Sequence, residues 1–242
     1  MKRFTSFTIT LLCFLIVVIH GCSSTEIGQS KDVAPETIYQ HYSINYNEGD
    51  EVGTVNACFR FAGINGTTLV LSDPSSISLD GVKLPVDSSD FEGAFYKQGK
   101  KAVDFFGDHN LRFTDIQMRE YNNKFSFNRF KLANLPVYAS KNTTLHIQFE
   151  PLLIGPDDHI ELESIETDSA FSISYTGRDK DSFISIPVED LQRQQGSQLK
   201  LVATLYRKQP LQNSTKEGGI IEMVYALKPV SIKLDAPELS KN

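Results

Sequence analysis

Val55, Ala57, Phe59 and Phe61 alternate with Thr54, Asn56, Cys58 and Arg60. A repeat of two is open only to an extended chain, in which successive side chains leave opposite faces. The run therefore predicts a strand with one apolar and one mixed face, and such a strand must lay its apolar face on a partner layer. Residues 77–84 read as two short alternating runs on either side of Asp80-Gly81. Asp-Gly favours the tight turn with two positive φ angles whose twist matches a hairpin. Further strands are expected at residues 110–114, 124–131, 144–149, 160–165, 171–175, 183–186, 199–207, 220–227 and 230–234. Helical periodicity is nearly absent. Only residues 188–195 carry helix formers over more than one turn, a length suited to a connector.

Short strands separated by turn clusters, with no long helices, predict an all-β fold of two consecutive antiparallel β-sandwiches with immunoglobulin-like architecture. The turn-rich Gly155-Pro156-Asp157-Asp158 places the boundary. This gives an N-terminal sandwich over residues 38–154, a C-terminal one over 155–236 and a polar tail over 237–242. The Cys and Trp hallmarks of antibody domains are missing, since the chain has no Trp, and a sandwich by itself assigns no function. Phe, of which the chain has 16, has to fill the cores instead. Burial is thus the expected fate of Phe91, Phe95, Tyr96, Phe105 and Phe106.

A different kind of segment precedes these strands. Lys2 and Arg3 lead into an apolar run that reaches Ile19 and is followed by His20-Gly21-Cys22, the layout of an export signal. Ile19-His20-Gly21-Cys22 resembles the lipobox of bacterial lipoproteins, with His20 at a position that is usually small. The resemblance covers the first two dozen residues. It implies a signal peptide over 1–21, cleavage before Cys22, a diacylglyceryl group on the Cys22 thiol and a further acyl chain, such as palmitate, on the freed amine. Several chains hold a membrane stably where one holds it marginally. Ser23, in place of an aspartate, resembles the choice that sorts such proteins to the outer membrane of the cell envelope. Residues 22–37 are polar and aperiodic. They read as the lipidated cysteine and a flexible tether with a reach of about 20 Å.

Loss of Lys2 and Arg3 with the signal leaves 22 Lys and Arg against 30 Asp and Glu, a formal charge of −8. An acidic body without a basic cluster disfavours nucleic acid as a partner. Cys13 leaves with the signal and Cys22 takes the lipid, so Cys58 has no intrachain partner for a disulfide. It is expected as a small packed thiol, with Arg60 on the same strand face.

No nucleophile elbow, zinc-protease pair, phosphate loop or dinucleotide glycine pattern occurs. The residues best suited to catalysis are Asp108, His109 and Asp115, a His near carboxylates that has the makings of a general base. Turn chemistry where a loop enters a strand accounts for the same residues. A second cluster, Asp157, Asp158, His159, Glu161 and Glu163, offers oxygens to Ca²⁺, a cofactor that suits such hard ligands. Alternation puts His159, Glu161 and Glu163 on one strand face. A solvated outer face gives the same pattern, and calcium-loop spacing is missing. Residues 119–124 read as an exposed hairpin tip with Asn122-Asn123 at the turn. Asn65, Asn142 and Asn213 head Asn-x-Ser/Thr triplets, which in a bacterial lipoprotein stay bare and serve as turn residues.

Two readings of different class follow. One is a lipid-anchored binding or interaction module whose partner, besides the membrane, is an envelope protein or a glycan. The other is an envelope hydrolase or metal-dependent enzyme that uses Asp108, His109 and Asp115 or the residues from Asp157 to Glu163.

Overall fold

The computed structural model describes residues 27–89, 93–150, 154–165, 170–176 and 183–235. The signal, Cys22, Phe91 and the tail over 237–242 lie outside the described residues. The fold is all-β. The first half holds β1 (Ile27–Gln29), β2 (Ile38–Asn47), β3 (Val52–Phe61), β4 (Thr68–Val70), β5 (Ser76–Leu79), β6 (Val82–Lys83) and β7 (Val86–Ser89). It continues with β8 (Gly93–Lys101), the one-turn helix α1 (Ala102–Phe105), β9 (Gly107–Thr114) and β10 (Glu120–Phe127). Then come β11 (Lys131–Ala133), β12 (Tyr138–Ala139), β13 (Leu145–Glu150), β14 (His159–Ser164), β15 (Ser172–Thr176) and β16 (Phe183–Ile186). Last are α2 (Val188–Arg193), β17 (Gln198–Pro210), β18 (Gly219–Ala226) and β19 (Val230–Leu234).

Three sheets form. The largest runs β1-β4-β3-β2-β18-β17-β14-β15, with β8 and β7 continuing from β3 and with β19 and β12 from β17. The second is β10-β9-β5-β6 and the third β11-β13-β16. The large sheet packs on both of the others, which makes two sandwiches that share a layer. In the first, Phe59 of β3 meets Phe113 of β9 at 4.6 Å between ring centres. In the second, Phe149 of β13 stands edge-on to Tyr175 of β15 at 4.8 Å. One hydrophobic core runs through both. Close packing also fixes a glycine: a Cβ on Gly53 would lie 2.2 Å from the Phe105 ring, so only glycine lets α1 settle on β3.

The join between the halves is a strand pair. β2 runs parallel to β18 from Gln40 opposite Gly219 to Asn47 opposite Ala226. β1 with β4 and β12 with β19 are parallel as well, so the large sheet is mixed where purely antiparallel sheets were expected. Sheet membership also changes ahead of the expected boundary at 154/155. β11 pairs with β13 and β13 with β16, so the change of partners falls between Phe127 and Lys131. Gly155 to Asp158 is a turn, closed by the Asp158 N–H on the Gly155 carbonyl at 3.0 Å. Its composition marks the turn correctly, but a turn need not end a domain.

The strands expected at 110–114, 144–149, 160–165, 171–175, 183–186, 199–207, 220–227 and 230–234 are β9 and β13 to β19, each end within three residues. The expected connector over 188–195 is α2. The Asp80-Gly81 turn has φ of 52° and 83° at its two residues, both positive as that dipeptide favours. Tyr96 and Phe105 are buried in the core.

Other expectations are corrected. The tether expected over 22–37 carries structure from Ile27 onward: β1 lies on β4, and the buried Ser30 hydroxyl accepts the Ser72 N–H at 2.8 Å. β2 then alternates as strictly as β3, with Ile38, Gln40, Tyr42, Ile44 and Tyr46 inward. The buried Gln40 breaks the apolar pattern, which hid this central strand. Phe61, expected on the inner face of β3, is exposed because the strand ends there. The hairpin tip expected at Asn122-Asn123 lies instead between Asp115 and Met118. Both Asn residues stand inside β10, with Asn123 fully buried.

Candidate functional site

Asp80 reaches the site because the hairpin turn places it at the end of β5 beside β9. Its backbone N–H donates to the Asn110 carbonyl at 2.9 Å, and one carboxylate oxygen accepts the Asn110 N–H at 2.9 Å. The other oxygen meets Lys100 Nζ at 2.6 Å and His109 Nδ1 at 2.8 Å. Partial burial alone would raise the Asp80 pKa. The hydrogen bonds from Lys100, the Asn110 N–H and His109 outweigh it and hold the carboxyl at about 2.

The His109 side chain is nearly buried, with its ring 5.2 Å from that of Phe125. Its Nε2 meets the Phe105 carbonyl at 2.9 Å. Both ring nitrogens thus face acceptors, a carboxylate and a carbonyl. Asp108 takes the Ser126 hydroxyl. Asp115 does not join them. It lies buried at the far end of β9, where one oxygen accepts the Gln117 and Arg119 N–H groups at 2.8 and 3.0 Å. Its other oxygen meets Arg119 Nε at 2.7 Å. Those bonds build the β9–β10 turn, so of the first cluster only Asp108 and His109 share a site.

Asp158 is the member of the second cluster that points to the same place. It accepts the Gly155 N–H at 2.7 Å and Arg207 Nε at 3.0 Å. His159, Glu161 and Glu163 leave β14 on the opposite face, as alternation predicts. There the His159 ring stacks on Tyr206 at 4.6 Å, and Glu161 accepts the Ser172 hydroxyl at 2.6 Å. Asp157 is exposed in the turn. No three His, Cys, Asp or Glu side chains among the described residues come together as a metal-binding group. Cys58 is half-buried on β3 with its thiol 3.6 Å from the Ala94 carbonyl, consistent with a packed thiol.

Asp80, Asp108, His109 and Asp158 line one cleft of about 770 Å³ between the second sheet and the β17–β18 part of the large sheet. Lys124, Asn128, Arg207, Lys208, Gln209 and Gln212 complete its polar wall, over a floor that includes Phe125 and Met223. The two sheets are stitched together beside it. Gln212 accepts the Lys124 N–H and donates to the Lys124 carbonyl, and Gln209 donates to the same carbonyl, each at 2.8 Å. Asn123 pairs with the Asn213 backbone through bonds of 2.8 and 3.0 Å. Behind Lys208, Glu222 bridges Lys208 and His41, each at 2.9 Å. The Lys208 hydrogen bond, foremost, keeps the Glu222 pKa low against its burial. Both signs of charge and several amides thus face one opening, and most of the charges are already held by a partner.

The sequence singles out Asp108, His109 and Asp158, which line one cleft, but nothing local connects them. Asp80 reads only as a turn residue, and Lys124, Arg207, Lys208, Gln209 and Gln212 carry no signal, because strand alternation is equally compatible with many pairings.

No protein-family model matches the chain, and no curated protein does. Among solved structures the chain is similar to murine CEACAM1b, at 10% identity over 82% of this chain and 100% of that one, with a TM-score of 0.25. It is similar to DIP-gamma IG1+IG2 at 11% identity over 82% and 96%, with a TM-score of 0.21. A Bacteroides ovatus protein, SGBP-B in complex with a mixed-linkage heptasaccharide, aligns at 10% identity over 76% of this chain and 53% of that one, with a TM-score of 0.21. Superpositions this loose assign no function, which the cleft has to carry by itself.

Proposed function

We propose that this protein is a binding module of the bacterial cell envelope, held at the outer membrane through lipid on Cys22, and that its cleft takes a hydroxyl-rich ligand, a glycan. The observation that carries this reading is the convergence of Asp80, Asp108, His109 and Asp158 with Lys124, Asn128 and Gln209 on one cleft. Its volume is in the range of small-molecule sites. Carboxylates accept from sugar hydroxyls, ammonium and guanidinium groups donate to them, and amides do both. Pairing within the wall holds these groups in place before a ligand arrives, which lowers the ordering cost of binding. A hydrolase has less support. His109 has both ring nitrogens engaged, and Asp115 serves a turn at the other end of β9.

Lys124 and Asn128 are exposed on the cleft wall, so truncating them leaves the core intact. The test is an array of bacterial envelope polysaccharides probed with the purified protein and with Lys124→Ala and Asn128→Ala. The expected outcome is selective binding that each variant weakens about tenfold, the effect of losing a charge-assisted or well-placed hydrogen bond, with an unchanged melting temperature. Tyr138→Ala, far from the cleft and exposed, should bind as the parent does. Recovery of a single stoichiometric envelope protein by in-cell crosslinking, with no glycan bound, would transfer the assignment to a protein partner.

A further inference from the structure

Four large apolar side chains stand in water at one end of the first sandwich. Ile27 is 42% exposed, Phe61 42%, Ile64 51% and Met118 65%. The topology brings them to the same end. Ile27 lies beside Thr68 in the β1–β4 pair, and Arg60 faces Thr68 in the β3–β4 pair. Phe61 closes the loop that holds Ile64 by donating its N–H to the Thr67 carbonyl at 2.9 Å. Ala62 donates to the Thr37 carbonyl at 2.9 Å, which ties the loop to the start of β2. Met118 belongs to the β9–β10 turn, where Arg119 senses the charge of Glu36 from that same segment. Loop tips normally carry small polar residues. Here two of them present Ile64 and Met118 instead.

We propose that this end is a membrane-docking surface that seats on the phospholipid headgroups. The inference rests on the anchor reading. Four residues lie between Cys22 and Ile27, which makes five residue steps, and a chain of that length reaches at most about 17 Å when fully extended. β1 runs parallel to β4 away from the end that carries Phe61 and Ile64, so the chain enters the fold from the apolar end. A lipid on Cys22 therefore turns this end of the body, rather than the opposite one, towards the bilayer. Apolar tips suit that interface, where the side chains enter the acyl boundary while their polar neighbours, Arg60 on the Gly66 carbonyl and Arg119 on Asp115, stay at headgroup level. The tether keeps this end of the body within about 17 Å of the anchored cysteine. Docking then fixes the tilt of the molecule and the direction in which its cleft opens.

The test uses the full-length acylated chain in vesicles of phosphatidylethanolamine and phosphatidylglycerol, in a Cys58→Ser background. A polarity-sensitive fluorophore is placed in turn at Ile64→Cys, Met118→Cys and, as the distant control, Val103→Cys, which is 79% exposed. Flotation with the vesicles and palmitate labelling report the anchor, and quenching by shallow spin-labelled lipid reports docking. The expected result is flotation of all three, with quenching at 64 and 118 at least twofold above that at 103. Flotation with equal, low quenching at all three sites would overturn docking while leaving the anchor intact. Probes at 64 and 118 shielded from both spin-labelled lipid and aqueous iodide would mean that another protein chain covers the patch, which also overturns it. An acyl-free chain that fails to float would remove the anchor and the docking together.

Discussion

Asp80 organises its surroundings through three donors: Lys100, His109 and the Asn110 N–H. The carboxyl titrates at about 2 in the folded protein, below the ordinary value near 4 in the unfolded chain. A depressed folded pKa means that the ionised form is favoured by folding. The contribution is complete above about pH 4 and is lost as the pH falls towards 2. The side chain is about a third exposed, which screens the effect to about 1 kcal/mol. Asp80→Asn should therefore lower stability by about that amount at pH 7 and flatten the loss of stability between pH 4 and pH 2, as measured by urea denaturation across that range. Parallel curves for parent and variant would show that the Asp80 cluster is not held in solution. Asp115 carries a similar set of donors but spends them on a turn, so residue type and local sequence do not separate a site carboxylate from a structural one.

At the scale of an element, β10 is the outer strand of the second sheet, and an outer strand leaves a row of backbone groups to be satisfied. Side chains serve it here in place of a neighbouring strand. Gln209 and Gln212 bond the Lys124 backbone, and Asn123 turns inward to pair with the Asn213 backbone. Asn123→Ala removes two part-buried hydrogen bonds to the exposed Asn213 and leaves a gap at a buried position, at a cost of about 1–2 kcal/mol. Amide exchange should rise along β10 more than along β9, and ligand binding should weaken because the same clamp shapes the cleft wall. Unchanged exchange in β10 would assign the stitching to the glutamines alone. Asn122-Asn123 is turn-like by composition, yet the strand wins because the buried amide has a backbone to bond.

The whole molecule is governed by the pairing of β2 with β18. Two sandwiches that share a sheet and a continuous core should melt together, in one calorimetric transition whose enthalpy equals the van't Hoff value. A chain ending at residue 154 would present β2 as a long unpaired edge with a half-covered core, and should aggregate at concentrations where the full protein does not. Two resolved transitions, or a soluble and folded fragment, would mean that the shared sheet contributes little to stability. The same continuity builds the cleft, since Asp80 and His109 come from one sandwich, and Asp158, in the turn before β14, and Arg207 of β17 from the other.

Sequence alone determined the extended conformation of most of the chain, the faces of β3 and β14, the Asp80-Gly81 turn and the candidacy of Asp108, His109 and Asp158. All of these follow from alternation, turn chemistry or side-chain type, which act within a few residues. It missed β2, where a buried glutamine interrupts the apolar pattern, and placed the domain boundary at a turn. Only the tertiary structure decided that β2 lies on β18, that Asp80 meets His109, that Asp158 holds Arg207 and that Asp115 stands apart. Backbone hydrogen bonds are chemically alike at every position, so strand partners and register are selected by the packing of side chains far apart in the chain. The cleft exists only once that selection has been made.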